Sequence, residues 1–323
     1  MTIAQANGVK CKSVAVAALW LALASAAYAQ APASKPPAAT SWTPVIKGAP
    51  FTVPRSDVWT MASKGGAAYR IYVSWPKAPP PPKGYPVLFM LDGDEAFAVT
   101  SEAANNIGPY WGLSPGIVVA IGYPGKSRRF LDFTPPGPAV VDLPPDNGGT
   151  GGVDAFMAFV GDELVPAIQA QYPVDPDRRT LMGYSLAGLF VLETLFKRPE
   201  LFNTYVAGSP SSFYGNRQVF TLIPGFVDKM RSRHLKRRLL LTIGQYEQSP
   251  VPGEEKDPIW LAIADLSIKA KMNDNARDLA AQLKPLGSAG LDFEYRVIPN
   301  ETHSSGEWPV TREGLLQAFA EHP

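Results

Sequence analysis

Ser185 is the residue whose setting in the sequence most clearly predicts chemistry. It stands in the motif GYSLA, between a strand-like segment at 179–182 and a helical stretch that continues to residue 198. A sharp strand-to-helix turn lifts a serine Oγ into a cleft, and it needs small residues two positions before and after the serine because the two backbones come close together. Gly183 and Ala187 meet that need, although glycine is commoner at the second position. The motif predicts a nucleophile for acyl transfer, with a helix N-cap as the alternative.

A serine nucleophile needs a general base, and three histidines are candidates. His234 lies in the basic run RSRHLKRR and His322 is the penultimate residue, so both are expected at the surface. His303 follows the β-rich segment 293–298 through a short loop. Because the base of an α/β hydrolase lies after its last strand, His303 is the predicted base.

A carboxylate should orient the histidine and should lie between the serine and the histidine in the chain, just past a strand. Glu247 follows the apolar run 239–243 closely and is predicted to accept the Nδ1 proton of the histidine. Asp257 and Asp265 lie further along the chain and remain alternatives.

Two backbone N–H groups are predicted to stabilise the oxyanion of the reaction. One belongs to Leu186, the residue after the nucleophile, and the other to the loop after an earlier strand. The apolar segment 87–91 ends in a turn at Asp92 and Gly93, so the N–H of Asp94 can point at the same oxygen. Losing one such donor typically costs about 3 to 4 kcal/mol of transition-state stabilisation.

The segments that must position these groups alternate between strands and helices. Strand-like runs, most of them typical of strands buried on both faces, lie at 68–75, 87–91, 117–121, 239–243 and 293–298. Apolar residues recur at helical spacing over 153–168 and 259–283, with a break expected inside the second stretch. This alternation predicts an α/β protein with the α/β-hydrolase fold, a three-layer α/β/α sandwich around a mostly parallel sheet.

The chain is predicted to contain three segments. Residues 1–29 place two lysines before a short apolar run and end in Ala-Tyr-Ala, which is the pattern of a secretory signal peptide. Residues 30–50 are rich in Ala, Pro and Ser and predict a flexible tether. Residues 51–323 are predicted to form one catalytic domain. We therefore expect export, most simply to the periplasm of a Gram-negative cell or else secretion, and no membrane span in the mature chain.

The composition excludes several classes of function. Of 323 residues, 46% are hydrophobic and 18% are charged, and 30 basic against 29 acidic side chains give a net charge of +1. Removing residues 1–29, which hold two lysines, leaves 28 against 29, so no nucleic-acid partner is expected. The single cysteine, Cys11, lies in the predicted signal peptide. Disulfides, thiol catalysis and cysteine-bound metals are thereby excluded from the mature protein, and no metal or other cofactor is expected.

Several ordered motifs resemble the putative-esterase family of α/β hydrolases, and in particular its enterobactin-esterase-like branch. They are YPVLFMLDGDEAF, IGYPGKSRRFLDFTPP, GYSLAGLFVLETLFKRPELFNTYVAGSPSSFY, LLLTIGQYEQ and PNETHSS. The resemblance implies the same nucleophile, base and oxyanion amides as the residues themselves, namely Ser185, His303, Asp94 and Leu186. Some siderophore esterases of this type work with a Ser-His dyad, which leaves the role of Glu247 open.

The resemblance also implies a substrate class and a mechanism. The substrate would be a catecholate siderophore of the enterobactin-like trilactone type, cleaved through a covalent ester on Ser185. Arg128 and Arg129 lie in the family's basic segment and would contact an anionic catecholate, with pairing to surface acids as the alternative.

Other interpretations use the same residues. A feruloyl, acetyl or general carboxylesterase of this fold, or an acyltransferase, would need the same catalytic groups. A siderophore-binding protein without catalysis is the hypothesis from a different class. Trp111, Phe213, Tyr214 and Trp308 could stack on catechol or ferulate rings alike, so they do not separate these hypotheses.

Overall fold

The computed structural model describes residues 51–137 and 149–321. The predicted signal peptide (1–29) and tether (30–50) lie outside these residues, and so does His322. Within the described ranges, no helix combines the length and the apolar character needed to cross a membrane.

Eight strands form one sheet in the described part of the chain. They are β1 (Ser56–Ala62), β2 (Ala68–Ser74), β3 (Tyr85–Met90), β4 (Ile117–Gly122), β5 (Val174–Tyr184), β6 (Thr204–Gly208), β7 (Arg237–Gly244) and β8 (Leu291–Ile298). Their order across the sheet is β1-β2-β4-β3-β5-β6-β7-β8. Strand β2 is antiparallel to both neighbours, whereas the pairs from β4 to β8 are all parallel. The prediction of a mostly parallel sheet is confirmed.

Helices connect most of these strands. They are α1 (Gly93–Glu102), α2 (Arg129–Phe133), α3 (Val153–Ala158), α4 (Val165–Gln171), α5 (Leu186–Lys197), α6 (Ile223–Ser232), α7 (Pro258–Ala270), α8 (Met272–Leu283) and α9 (Glu307–Phe319). A π-helical segment, Phe159–Leu164, joins α3 to α4. The break predicted within 259–283 lies at Lys271, whose φ of 47° separates α7 from α8.

The sheet separates two layers of helices. Successive side chains of a strand point to opposite faces, so Val87 and Phe89 join one core while Leu88 and Met90 join the other. The larger core includes residues of α3, α5, α6 and α8, and the smaller core includes residues of α1 and α9. The predicted three-layer sandwich is therefore confirmed.

Helix α5, which follows the predicted nucleophile, lies at the centre of the larger core. All its residues except Lys197 are buried. The ring of Phe190 lies 4.9 Å from that of Phe156 and 5.8 Å from that of Phe133. A helix that is apolar on every side must be surrounded by other elements, so α5 holds the serine turn on a rigid support.

Strand β8 differs from its prediction as a strand buried on both faces. It is the last strand of the sheet, and most of its residues are exposed or half-buried. Phe293 and Tyr295 pack on the core, while Asp292 and Glu294 face solvent. The β-rich composition of this segment therefore marks an edge strand with one covered face.

Candidate active site

Ser185 lies on a strained turn between β5 and α5. Its φ of 60° and ψ of −119° are unusual for a residue with a side chain, and its N–H donates to the carbonyl of Gly208 at 2.9 Å. A Cβ on Gly183 would lie 2.5 Å from the carbonyl oxygen of Ala187, and one on Gly188 would lie 2.6 Å from that of Gly208. The turn thus requires glycine at 183 and 188, and alanine fits at 187.

His303 lies in the loop between β8 and α9 and reaches the serine. Its Nε2 lies 3.0 Å from Ser185 Oγ. The hydroxyl of Tyr184 donates to the carbonyl oxygen of His303 at 2.9 Å, and the two rings lie 5.3 Å apart. Tyr184, which precedes the nucleophile, therefore also holds the histidine loop in place.

Glu247 lies in the loop after β7 and contacts the other side of the histidine. Its Oε2 lies 2.7 Å from His303 Nδ1. Its Oε1 accepts hydrogen bonds from the N–H of Gly244 at 2.6 Å and from the hydroxyl of Ser209 at 2.5 Å. Since an ionised carboxylate can only accept, Nδ1 carries the proton, and Nε2 is left to accept from Ser185.

The two alternative acids lie elsewhere. Asp257 accepts the N–H of Trp260 at 3.1 Å at the start of α7. Asp265 is exposed and pairs with Lys269 at 2.6 Å on the surface of the same helix. The carboxylate that the structure brings to the histidine is that of Glu247.

Backbone hydrogen bonds join the loops after β7 and β8. The N–H of Gln245 donates to the carbonyl of Ile298 at 3.0 Å, and that of Tyr246 donates to Glu301 at 2.8 Å. The side-chain oxygen of Gln245 accepts the N–H of Asn300 at 2.9 Å. Because these loops are fixed to one another, the carboxylate and the imidazole keep their relative position.

The two predicted oxyanion residues begin α5 and α1. Leu186 is the first residue of α5 and Asp94 is the second residue of α1, where N–H groups have no partner inside the helix. The carboxylate of Asp94 anchors its turn, because it accepts hydrogen bonds from Arg70 at 2.8 Å, Tyr72 at 2.6 Å and the N–H of Tyr123 at 2.6 Å.

The two predicted substrate-binding arginines have different surroundings. Arg129 is buried and donates from Nε at 3.1 Å and from a terminal nitrogen at 3.0 Å to the two carboxylate oxygens of Asp92. Although burial lowers the pKa of Arg129, this ion pair outweighs it and raises the pKa. The ion pair engages Nε and one terminal nitrogen of the guanidinium. Arg128 is 40% exposed and pairs with Asp132 at 3.3 Å.

Several carboxylates lie near the turn at residues 92–94, which carries one of the predicted oxyanion amides and is called the oxyanion side of the site below. Partial loss of hydration raises the pKa of Glu95 to about 7, the charge of Asp92 adds to this effect, and Arg129 opposes it. Loss of hydration also raises the pKa of Glu307, with Asp92 acting in the same direction and both Arg129 and His303 in the opposite one.

A cavity with a mainly apolar wall opens beside Ser185. It is lined by Phe213, Leu266, Ala270 and Met272, with the hydroxyls of Ser211 and Ser267. The wall comes mostly from the end of α7 and the start of α8. An acyl or aryl group attached to the reacting carbonyl would find apolar contacts here.

The four predicted aromatic contacts are not equivalent. Phe213 lines the cavity, whereas Tyr214 is fully buried in the core. Trp308 is half exposed at the start of α9, and Trp111 lies under the guanidinium of Arg312 at 5.6 Å.

Two contributions to the site were not predicted, namely the hydroxyl of Ser209 and the N–H of Gly244, which hold Glu247. Arg129 follows the alternative given for it, pairing with an acid, but its partner is Asp92 in the turn before α1 and not a surface acid. The segment GSPSS contains nothing that distinguishes its first serine from the others. The contact of Arg129 spans 37 positions along the chain, and no local pattern signals it.

The strand order and the serine turn define a protein of the α/β-hydrolase fold. Residues 63–282 match the family described as Putative esterase, and the chain belongs to that family, as its sequence predicts. Over 286 residues it is 35% identical to "Ferri-bacillibactin esterase BesA" of Bacillus subtilis, a match that covers 84% of this chain and 92% of that protein. Over 280 residues it is 30% identical to "Siderophore enterobactin esterase" of Emericella nidulans, covering 80% and 91%.

A solved structure supports the same fold. The crystal structure of the BES protein from Bacillus cereus superposes with a TM-score of 0.73 at 28% identity and covers 85% of this chain and all of that one. Family membership and relatives named as esterases make this chain a carboxylic ester hydrolase, which confirms that prediction.

Proposed function

We propose that this protein is a serine esterase that hydrolyses the ester bonds of a catecholate siderophore of the trilactone type. The observation that carries the proposal is the hydrogen bonding of Ser185 to His303 and of His303 to Glu247, which is the geometry of a catalytic triad. The substrate class rests on the two relatives named for ferri-bacillibactin and enterobactin.

The reaction proceeds in two steps in this proposal. Ser185 Oγ attacks the ester carbonyl carbon while its proton moves to Nε2 of His303, and the C–O bond to the alcohol breaks as Nε2 returns that proton to the leaving oxygen. A water molecule then gives a proton to Nε2 and attacks the acyl carbon. The bond between that carbon and Ser185 Oγ breaks as Nε2 returns the proton to Oγ, which releases the acid and restores the serine. Glu247 stabilises the imidazolium in both steps.

The oxyanion of each tetrahedral intermediate accepts the N–H groups of Leu186 and Asp94 in this proposal. Both groups begin helices, where the positive end of the helix dipole favours negative charge. Of the two predicted arginines, Arg128 has the more exposed side chain, and in this proposal it contacts an anionic catecholate while it pairs with Asp132. Arg129 contributes through Asp92, whose turn it holds.

Export is a further part of the proposal. The lysines and apolar run within residues 1–29 support removal of this segment, with cleavage after Ala29. Sequencing the N-terminus of protein recovered from the periplasm of a Gram-negative host tests it. Protein that stays in the cytoplasm with its first residues intact would contradict export.

A chromatographic time course of purified protein with ferric enterobactin tests the activity, alongside a simple aryl ester and the Ser185→Ala variant. We expect linear catecholate fragments from the wild type and none from the variant. Turnover of the aryl ester with enterobactin untouched would favour a general or feruloyl esterase. Binding of ferric enterobactin without turnover of either ester would favour a siderophore-binding protein.

A further inference from the structure

Ser209 combines a strained backbone with complete burial. It is the first residue after β6, its φ is 40°, and 1% of its surface is exposed. Its N–H donates to the carbonyl of Thr242 on β7 at 2.9 Å, which fixes the backbone between the two strands. A positive φ favours glycine, so a serine at this position needs a reason in its side chain.

That side chain has one acceptor of special importance. The hydroxyl of Ser209 donates to Oε1 of Glu247 at 2.5 Å. The carboxylate is inaccessible to solvent, so the protein must supply the hydrogen bonds that water would otherwise make. The carboxylate accepts two further hydrogen bonds, one on Oε1 from the N–H of Gly244 and one on Oε2 from Nδ1 of His303. Apart from the histidine, its donors are therefore the two uncharged groups of Ser209 and Gly244.

The loop that carries Ser209 also contacts the nucleophile. The carbonyl of Gly208 accepts the N–H of Ser185 at 2.9 Å, and the N–H of Ser211 donates to the carbonyl of Ser185 at 3.0 Å. Residues 208–211 therefore fix the backbone of the serine and the side chain of the acid at the same time. A shift of this loop would change the distance between Ser185 and the carboxylate of Glu247.

We propose that Ser209 is a positioning residue that acts through Glu247. Its hydroxyl directs Oε1 away from the histidine and leaves Oε2 facing Nδ1 of His303, so that the imidazole presents Nε2 to Ser185. The inference rests on the proposed function and extends it to a fourth side chain. The strain at φ 40° persists because the serine hydroxyl, and not the backbone alone, is needed there.

The test compares two substitutions at Ser209 that both remove the hydroxyl, of which only one relieves the backbone strain. Ser209→Gly removes the hydroxyl and relieves the strain, whereas Ser209→Ala removes the hydroxyl and keeps the strain. We expect both variants to lower kcat for an aryl ester about 10- to 100-fold with little change in KM, because a buried charged acceptor loses a donor. We also expect the glycine variant to melt at a higher temperature than the alanine variant, because both lose the hydrogen bond to Glu247 but only glycine relieves the strain.

A control and a double variant separate positioning from a structural effect. His234→Gly also relieves a positive φ, 51°, at an exposed turn before β7, at the opposite end of that strand from Glu247, and it should keep the wild-type kcat. In a Glu247→Ala background, adding Ser209→Gly should cost no further activity, since the group through which the hydroxyl acts is gone.

Two outcomes would overturn the inference. One is a kcat within about twofold of the wild type in both Ser209 variants, and the other is an undiminished loss of activity when Ser209→Gly is added to Glu247→Ala. Ser185→Ala distinguishes this from failure of the proposed function, because activity that survives in Ser185→Ala would contradict the esterase mechanism itself.

Discussion

The acid side and the oxyanion side of the proposed site both hold strained residues, but they use different forces. On the acid side, Ser209 at φ 40° and the buried Glu247 are linked by hydrogen bonds from uncharged donors. On the oxyanion side, Asp92 at φ 52° is held by a buried ion pair with Arg129. Hydrogen bonds from neutral groups depend little on pH, whereas clustered charges depend on it directly.

This difference separates the two tasks of the site. The acid side must keep one carboxylate aligned with an imidazole, and fixed neutral donors accomplish this without competing for the charge. In the proposed mechanism the oxyanion side must keep amides aimed at a developing negative charge, and its turn lies next to the carboxylates of Asp92, Glu95 and Glu307. Arg129 reduces the repulsion among these acids while it holds the turn.

The largest expected effect belongs to neither side but to the residue between them. Ser185→Ala should lower kcat by about four orders of magnitude or more, because it removes the hydroxyl that forms the proposed acyl-enzyme. Steady-state assays with an aryl ester measure the loss, and Ser232→Ala, at the exposed end of α6, is the matched control. Activity in Ser185→Ala above one thousandth of wild type would contradict the assignment.

Glu247→Gln tests the acid side. The amide can donate to Nδ1 and would then hold the histidine in the wrong tautomer, so kcat should fall about 10³- to 10⁴-fold. Asp265→Asn, an exposed acid on α7, should leave kcat within about twofold. If Glu247→Gln kept most of its activity, the enzyme would work as a Ser-His dyad.

Arg129→Met tests the oxyanion side. It leaves the half-buried Asp92, whose side chain is 14% exposed, without its partner, which should cost about 2 to 4 kcal/mol of unfolding free energy and lower kcat about 10-fold or more through the displaced turn. Denaturant unfolding and aryl-ester kinetics measure the two effects.

The double variant Asp92→Asn with Arg129→Met removes both charges and should be more stable than Arg129→Met alone. Arg277→Met, which breaks a pair exposed on α8, should change stability by less than about 0.5 kcal/mol. Equal losses in Arg129→Met and Arg277→Met would show that the buried pair has no special role.

The smallest expected effect is the pH dependence that the carboxylates introduce. The pKa of Glu95 is raised from 4.5 to about 7, so between these pH values the folded protein keeps a proton that the unfolded chain has released. The contribution of Glu95 to the unfolding free energy therefore falls as pH rises through this window, and the change is small because Glu95 is exposed to solvent. Glu95→Gln should be more stable than the wild type at pH 8 and equal to it near pH 4.

Thermal unfolding across this pH range measures the effect, with Glu254→Gln in the exposed β7–α7 loop as control. A wild-type stability that rises between pH 5 and pH 8, and rises equally in Glu95→Gln, would contradict the expected direction.

The sequence predicts most of the proposed catalytic series because Ser185, Glu247 and His303 each follow a strand. The carboxyl ends of parallel strands meet at one edge of the sheet, so residues far apart in the chain are brought together. Strand order could not be read in the same way. Ser209 reaches Glu247 because β6 lies beside β7, and this neighbour relation is a property of the whole sheet.

Arg129 is a residue whose partner the sequence could not identify. The sequence left contact with an anionic ligand and pairing with an acid as alternatives for this residue, and only the packing of α2 against the β3–α1 turn shows that its charge is paired with Asp92. The composition of β8 likewise suits a strand, but its place at the edge of the sheet depends on the elements that cover it. Local patterns determine element type, whereas partners depend on long-range packing.

The position of β8 at the edge of the sheet has a consequence for how the protein loses activity on heating. Strand β8, which leads into the histidine loop, pairs in the sheet with β7 alone, since no strand of the described chain pairs with its outer edge. Edge segments open locally at lower free energy than the centre of a sheet. Mild heating or a low denaturant concentration should therefore abolish activity while most amide hydrogens remain protected from exchange. Cooling should restore the activity, because the protein has not unfolded completely.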